Sequence, residues 1–88
     1  MAAYRRPVTV LLFAGAREAV GRSSLEWPVP TEGILARRLL DELSTRFPAL
    51  RRTLAASRFV RNGRYLPNLG TRLRPGDEFA VHPPYGGG

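Results

Sequence analysis

Thr31-Glu32-Gly33-Ile34-Leu35-Ala36-Arg37-Arg38-Leu39-Leu40-Asp41-Glu42-Leu43-Ser44-Thr45-Arg46-Phe47-Pro48 carries the clearest helical period in this 88-residue chain. Leu35, Leu39, Leu43 and Phe47 recur every four residues, and Ile34, Ala36 and Leu40 widen the stripe. Such spacing lines one side of an α-helix. Arg38, Asp41, Glu42 and Thr45 fall mainly on the other side. Thr31 is placed to cap the helix, with Glu32 at the positive end of its dipole. Glu42 and Arg46 stand in the favourable i,i+4 order for an ion pair. Pro48 ends the helix near Phe47.

Outward from this helix the pattern turns to strands. Residues 7–13 read as a first strand, with Val8, Val10 and Leu12 on one face and Thr9, Leu11 and Phe13 on the other. Residues 14–23 hold two glycines and three charges, a connector with at most a helical turn over 16–20. A second strand over 24–29 alternates Leu25, Trp27 and Val29, and Pro28 within it points to a sheet edge. After the helix, 49–57 can form a second short one. Arg58 to Arg61 is a third strand closed by Asn62-Gly63, a strong hairpin signal, and 64–66 returns as a fourth. Arg74-Pro75-Gly76-Asp77 is a type II turn, and 78–82 is the last strand, stopped by Pro83-Pro84.

One amphipathic helix on one face of a mixed sheet is an α+β roll. It leaves Leu11 and Phe13 on a face with no second layer, and uncovered apolar surface marks a partner site.

Length and composition allow one domain with a modest core. Hydrophobic residues are 43% and charged residues 24%, an ordinary globular balance. The absence of cysteine removes disulfides, thiolate nucleophiles and cysteine zinc sites. Arg5-Arg6 before the apolar 8–13 and Ala14-Gly15-Ala16 imitate a signal peptide. The apolar run is too short to span a bilayer and fits a first strand better, so no membrane role is expected and the cytoplasm is the expected location.

All 14 basic residues are arginine, giving a formal net charge of +7. That invites a nucleic-acid reading, with Arg58, Arg61, Arg64, Arg72 and Arg74 near the hairpin and Phe59 and Tyr65 among them. No reading motif accompanies them, and compositional bias with a solvated charged face accounts for the same pattern; nucleic acid is not the expected partner. Catalysis fails on inventory. His82 is the sole histidine, no serine sits in a nucleophile context, and Asp41-Glu42 and Asp77-Glu78 read as helix surface and turn. Gly15 to Ser23 imitates a phosphate loop with the wrong spacing and Arg22 in place of lysine. No metal is expected.

The end of the chain differs. Pro83-Pro84-Tyr85-Gly86-Gly87-Gly88 follows directly on a strand stop. A disordered end or a cloning scar is the bland account. The other account has a mechanism. Two prolines launch a flexible tail over 83–88, and glycines without Cβ let its backbone enter a narrow channel to present the α-carboxylate of Gly88 to another protein. Activation as an acyl-adenylate then opens the carboxyl carbon to sulfide or another nucleophile. The domain organisation is thus 1–82 and a tail.

Val10-Leu11-Leu12-Phe13-Ala14-Gly15-Ala16-Arg17-Glu18 with Val20-Gly21 resembles the opening of the small, sulfur-carrying subunits of molybdopterin synthase. The likeness continues through Arg46-Phe47-Pro48-Ala49-Leu50, Asn62-Gly63, Leu73-Arg74-Pro75-Gly76-Asp77-Glu78 and the ending Pro83-Pro84-x-x-Gly87-Gly88. It implies a ubiquitin-like β-grasp fold and a carrier with no catalytic residues of its own. Gly88 would be adenylated by a ubiquitin-activating-type enzyme that consumes ATP, then converted to a thiocarboxylate. Its sulfur would pass to cyclic pyranopterin monophosphate in the large synthase subunit, into which Pro83, Pro84, Tyr85, Gly86 and Gly87 thread. The complex would be the sulfur transferase, and the carrier itself binds no cofactor. The resemblance assigns docking to Phe13, Leu66 and His82. His82 departs from the bulky apolar residue usual before Pro-Pro, and Gly86 replaces a commoner small side chain. Carriers serving thiamine, cysteine or tRNA thiolation, and protein modifiers, are the alternative members of this wider group.

Overall fold

The computed structural model describes residues 6–83; the expected tail positions Pro84, Tyr85, Gly86, Gly87 and Gly88, and Arg5, lie outside the described residues. The strands are β1 (Val8–Leu12), β2 (Ser24–Trp27), β3 (Ile34–Leu35), β4 (Arg58–Arg61), β5 (Arg64–Tyr65), β6 (Arg72–Leu73) and β7 (Glu78–His82). The helices are α1 (Ala14–Val20), α2 (Ala36–Arg46) and α3 (Arg51–Ala56), the last entered through a 3-10 turn at Pro48–Leu50. Five strands form a mixed sheet in the order β2-β1-β7-β4-β5, and β3 pairs with β6 beside it. β1 and β7 are parallel neighbours at the centre, and β2, β4 and β5 join antiparallel. The expected α+β roll stands.

Period-2 alternation builds the core. Val8, Val10, Leu12, Leu25, Phe79 and Val81 turn inward, and α2 lays Ala36, Leu39, Leu40 and Leu43 against them. Ala16 of α1, Leu50 and Leu54 join the same cluster, so all three helices serve one side of the sheet. At ~25 cal/mol per Å² of apolar surface removed from water, this single cluster is the main favourable contribution to folding.

Three expectations need correction. Thr31 does not cap the helix. Pro30 to Gly33 form a turn closed by the Gly33 N–H donating to Pro30 O at 2.8 Å, Ile34–Leu35 is a strand, and the N-cap is Leu35 without a side-chain bond. The first α2 amides find tertiary acceptors instead, Ala36 N–H on Thr71 O at 2.8 Å and Arg37 N–H on Leu69 O at 3.0 Å. Carbonyls from a distant loop thus do what a local side chain was expected to do. The connector 14–23 holds a full helix, α1, closed by Gly21 at φ +83°. That helix occupies the segment that imitated a phosphate loop. Glu42, finally, pairs with Arg38 rather than Arg46.

The hairpin is as expected. Asn62 and Gly63 have φ of 49° and 85°, the positive pair that a type I′ turn requires. Gly76 at φ +91° and the Asp77 N–H donating to Arg74 O at 2.9 Å complete the type II turn.

Candidate functional site

The sheet face opposite the helices has three rows of side chains, set by register. Glu26, Thr9 and Glu78 stand side by side in the first. Ser24, Leu11, Ala80, Val60 and Tyr65 make the second. Phe13, His82 and Arg58 make the third, at the end of β7 where the chain continues into Pro83. One face therefore runs from acidic through apolar to aromatic and cationic.

The third row is organised by its own contacts. The Phe13 and His82 rings stack with centroids 4.8 Å apart and planes at 20°. Such a pair contributes ~0.5–1.5 kcal/mol beyond its burial. Phe13 still leaves 42% of its surface open, so the stack orients the ring and keeps a face for a partner. Ala14, immediately after it, has φ +48°. This left-handed residue at the strand-to-helix junction turns the chain sharply after Phe13. Arg58, across the strand pair from His82, holds its guanidinium 5.6 Å from the centre of the Tyr65 ring. Tyr65 is 62% exposed, and Ala80 is buried between Leu11 and Val60 without belonging to the inner cluster.

Of the residues expected to dock a partner, the structure brings Phe13 and His82 into contact. Leu66 is elsewhere: it is half-buried and packs against the inner core, donating its N–H to Phe59 O at 2.9 Å. Alternation in β5 puts Tyr65 on the outer face in its place. Sequence reading missed Arg58, Val60, Tyr65 and Ala80. The alternation of β4 and β7 carried the signal, but joining it to β1 required the parallel β1–β7 register. Gly88 and its four predecessors lie outside the described residues, so the geometry ends at Pro83, beside the aromatic stack.

A clamp holds the strands that carry this face. Asp77 accepts from Arg61 Nε at 2.8 Å, from Arg74 N–H at 2.8 Å and from Asn62 Nδ2 at 3.0 Å, while Asn62 Oδ1 accepts the Glu78 N–H at 2.8 Å. The Pro-Gly turn is thereby locked to the hairpin. Partial burial pushes the Asp77 carboxyl upward, but the bonds from Arg74, Asn62 and Arg61 and the Arg61 charge outweigh it and hold the group below its usual value.

Three of the five arginines considered for nucleic acid make contacts within the domain. Arg61 is taken by Asp77, Arg58 lies on Tyr65, and Arg72 donates to Glu32 O at 3.4 Å near β3. Among the described residues no three of His, Cys, Asp and Glu group closely enough to hold a metal, and no helix is long and apolar enough to cross a membrane.

The sequence profile of the ThiS family matches residues 10–88. The chain belongs to the ThiS family. A relative from Drosophila melanogaster, molybdopterin synthase sulfur carrier subunit, is 41% identical over 87 residues, covering 92% of this chain and 90% of its own. Among solved structures, a Pyrococcus furiosus protein described as molybdopterin converting factor, subunit 1, superposes with a TM-score of 0.79 at 29% identity, covering 90% of this chain and 98% of that one. The small archaeal modifier protein 1 of Methanosarcina acetivorans does so with a TM-score of 0.76 at 28% identity, covering 98% and 100%. As a ThiS-family member with these neighbours, the roll is a ubiquitin-like β-grasp. Family membership gives the uncovered face and the glycine ending a common context.

Proposed function

We propose that this chain is the sulfur-carrier subunit of a molybdopterin synthase. The observation that carries the reading is positional. An uncovered face bearing Phe13, His82 and Arg58 sits where β7 hands the chain to Pro83 and the Pro-Pro-Tyr-Gly-Gly-Gly ending. A partner gripping that face receives the terminal residues without further search, which raises their effective concentration in its active site. The relatives' shared name, sulfur carrier subunit, agrees with this arrangement.

The chemistry balances around one carboxylate. The Gly88 carboxylate oxygen attacks the α-phosphorus of ATP on a ubiquitin-activating-type enzyme, releasing pyrophosphate and leaving an acyl-adenylate. Hydrosulfide adds to the acyl carbon and AMP departs, leaving a thiocarboxylate. In the large subunit the thiocarboxylate sulfur attacks a side-chain carbon of the pterin precursor, cyclic pyranopterin monophosphate, and the C–S bond forms as a C–O bond at that carbon breaks and its oxygen leaves. Water then cleaves the acyl–sulfur bond, leaving sulfur on the pterin and returning the carboxylate. The carrier binds no cofactor in this scheme, and ATP serves only its activation. Catalytic groups come from the partners, and a cytoplasmic cycle, where ATP is at hand, is part of this reading.

Intact-mass measurement after incubation with an activating enzyme, ATP and sulfide tests the reading. A gain equal to exchange of one oxygen for sulfur, lost when Gly88 is followed by one added residue, is the expected result. An unchanged mass under conditions that thiolate an authentic carrier rejects it. The likeness to small archaeal modifier protein 1 favours one second reading, conjugation to protein lysines, which predicts isopeptide adducts through Gly88 in the same reaction. Sulfur delivery to thiamine, cysteine or tRNA uses the same thiocarboxylate and is separated by which client enzyme accepts it.

A further inference from the structure

The open edge of β2 forms a second surface, outside the carrier site. β2 is the terminal strand of the sheet. The Leu12 N–H donates to Ser23 O at 2.9 Å, and the register sets Leu11 opposite Ser24 and Thr9 opposite Glu26. Bonded and non-bonded pairs alternate in an antiparallel ladder, so the N–H and C=O of Ser24 and Glu26 point away from β1 into the open. Beside them lies a cleft of about 580 Å³ lined by residues of β2, Arg22, Arg46 and Phe47.

Its apolar wall is Trp27 and Phe47, both half-buried against the core. The Trp27 indole donates Nε1–H to Glu42 Oε1 at 2.8 Å, which fixes the ring, and Glu42 also accepts from Arg38 Nε at 3.4 Å. Arg46 is left to lie over Phe47, 5.7 Å from the ring centre. Among the described residues the ion pairs are Arg38–Glu42 and Arg61–Asp77, so Arg22 and Arg46 meet no carboxylate. On the outer side of the strand Glu26 is exposed.

We propose that this cleft takes an extended peptide segment of another protein, added as a strand to β2 through Ser24 and Glu26. Main-chain bonds give such additions affinity, and side-chain pockets give them specificity. Alternate side chains of the added strand face the cleft. One is a bulky aliphatic group against Trp27 and Phe47, and the next on that side is a carboxylate at Arg46 and Arg22. The residue between them faces Glu26 and is basic or neutral. Pro28 has no N–H and limits the pairing to the stretch before it. Charge selects this occupant over a second copy of the chain, which would set Arg22 and Arg46 against their equivalents in a molecule already at +7.

The probe is the blocked peptide Ac-Thr-Leu-Lys-Glu-Thr-NH2, titrated into isotope-labelled full-length chain. Expected are saturable amide shifts at Ser24, Glu26 and Phe47, a shift of the Trp27 indole N–H, and slowed exchange of the Ser24 and Glu26 amides. Arg46→Glu, or lysine for glutamate in the peptide, weakens binding by about tenfold or more, and combining the two restores it. Ser24→Pro removes an outward donor at an edge that tolerates proline, so binding is lost while the melting temperature is nearly kept. Absence of shifts at millimolar peptide overturns the proposal. So do salt-sensitive shifts confined to the arginines with Ser24 and Glu26 unmoved, which mean an anion site only, and concentration-dependent pairing of the chain with itself. None of these outcomes bears on the thiocarboxylate, whose test is separate.

Discussion

On the inner face of the sheet Val8, Val10, Phe79 and Val81 are fully sealed, whereas on the outer face Leu11 is half-buried and Phe13 and Tyr65 are open. The same strands build both faces, and single-residue alternation separates them. The inner side chains are held by helices from the same chain. Among the described residues the outer ones are held by each other, through the Phe13–His82 stack and the Arg58–Tyr65 contact. The inner face decides whether the molecule folds, and the outer face is left free for the partner proposed above.

The widest separation of the two faces comes from a pair of truncations. Phe79→Ala removes a fully buried ring stacked 5.6 Å from Phe59. It should lower stability by ~3–5 kcal/mol in urea unfolding. Gly33→Ala comes next, because a Cβ there would collide with Leu73 O at a φ of +86°. The brace between β3 and β6 would have to open, at ~2–4 kcal/mol by the same measurement.

Phe13→Ala inverts the pattern. Stability should fall by less than ~1 kcal/mol, while affinity for the proposed large-subunit partner, read by calorimetry, falls by ~2 kcal/mol, about thirtyfold. Equal losses in both measurements would erase the distinction between the faces.

The clamp beneath the outer face gives a pH signature. The Asp77 carboxyl is held below its usual value of 3.8, so its ionised form is favoured in the folded state. Its contribution is complete above that value and is lost as pH falls through the lower, folded one. Asp77→Asn should cost ~1–2 kcal/mol at neutral pH and flatten the acid limb of the melting-temperature profile. The smallest effect is Ala14→Gly, which relieves a left-handed alanine and should raise stability by ~0.5–1 kcal/mol. The same change should leave the Phe13 ring freer and docking no stronger.

Much of this is legible in the sequence alone. β4 and β7 match their expected bounds, because alternation and strong turn signals bracket both. The hairpin and the Pro-Gly turn were equally plain, since both depend on local φ preferences. β6 was not, because a two-residue strand has no period to read. The helix start was misplaced for a related reason: Thr31 is a good cap by type, but the Gly33 amide is turned onto Pro30 O, and the first amides of α2, those of Ala36 and Arg37, are bonded to Thr71 O and Leu69 O. Glu42 shows the same priority, as the Trp27 indole and Arg38 rather than Arg46 claim its carboxylate.

For the candidate site, Phe13 and His82 could be named from the residues and the resemblance, but not their stacking. Leu66 was drawn inward and Arg58, Val60, Tyr65 and Ala80 were missed, because a face is assembled across strands distant in sequence.

The sequence by itself determined the strands of the five-stranded sheet, the one long helix, the turns and the glycine ending, because periodicity and backbone preference act over a few neighbouring residues. The tertiary structure decided which strands lie side by side, which side chains share the outer face, and where helix α2 begins. Those outcomes depend on contacts between segments far apart in the chain, whose competition for the same donors and the same core no local pattern records.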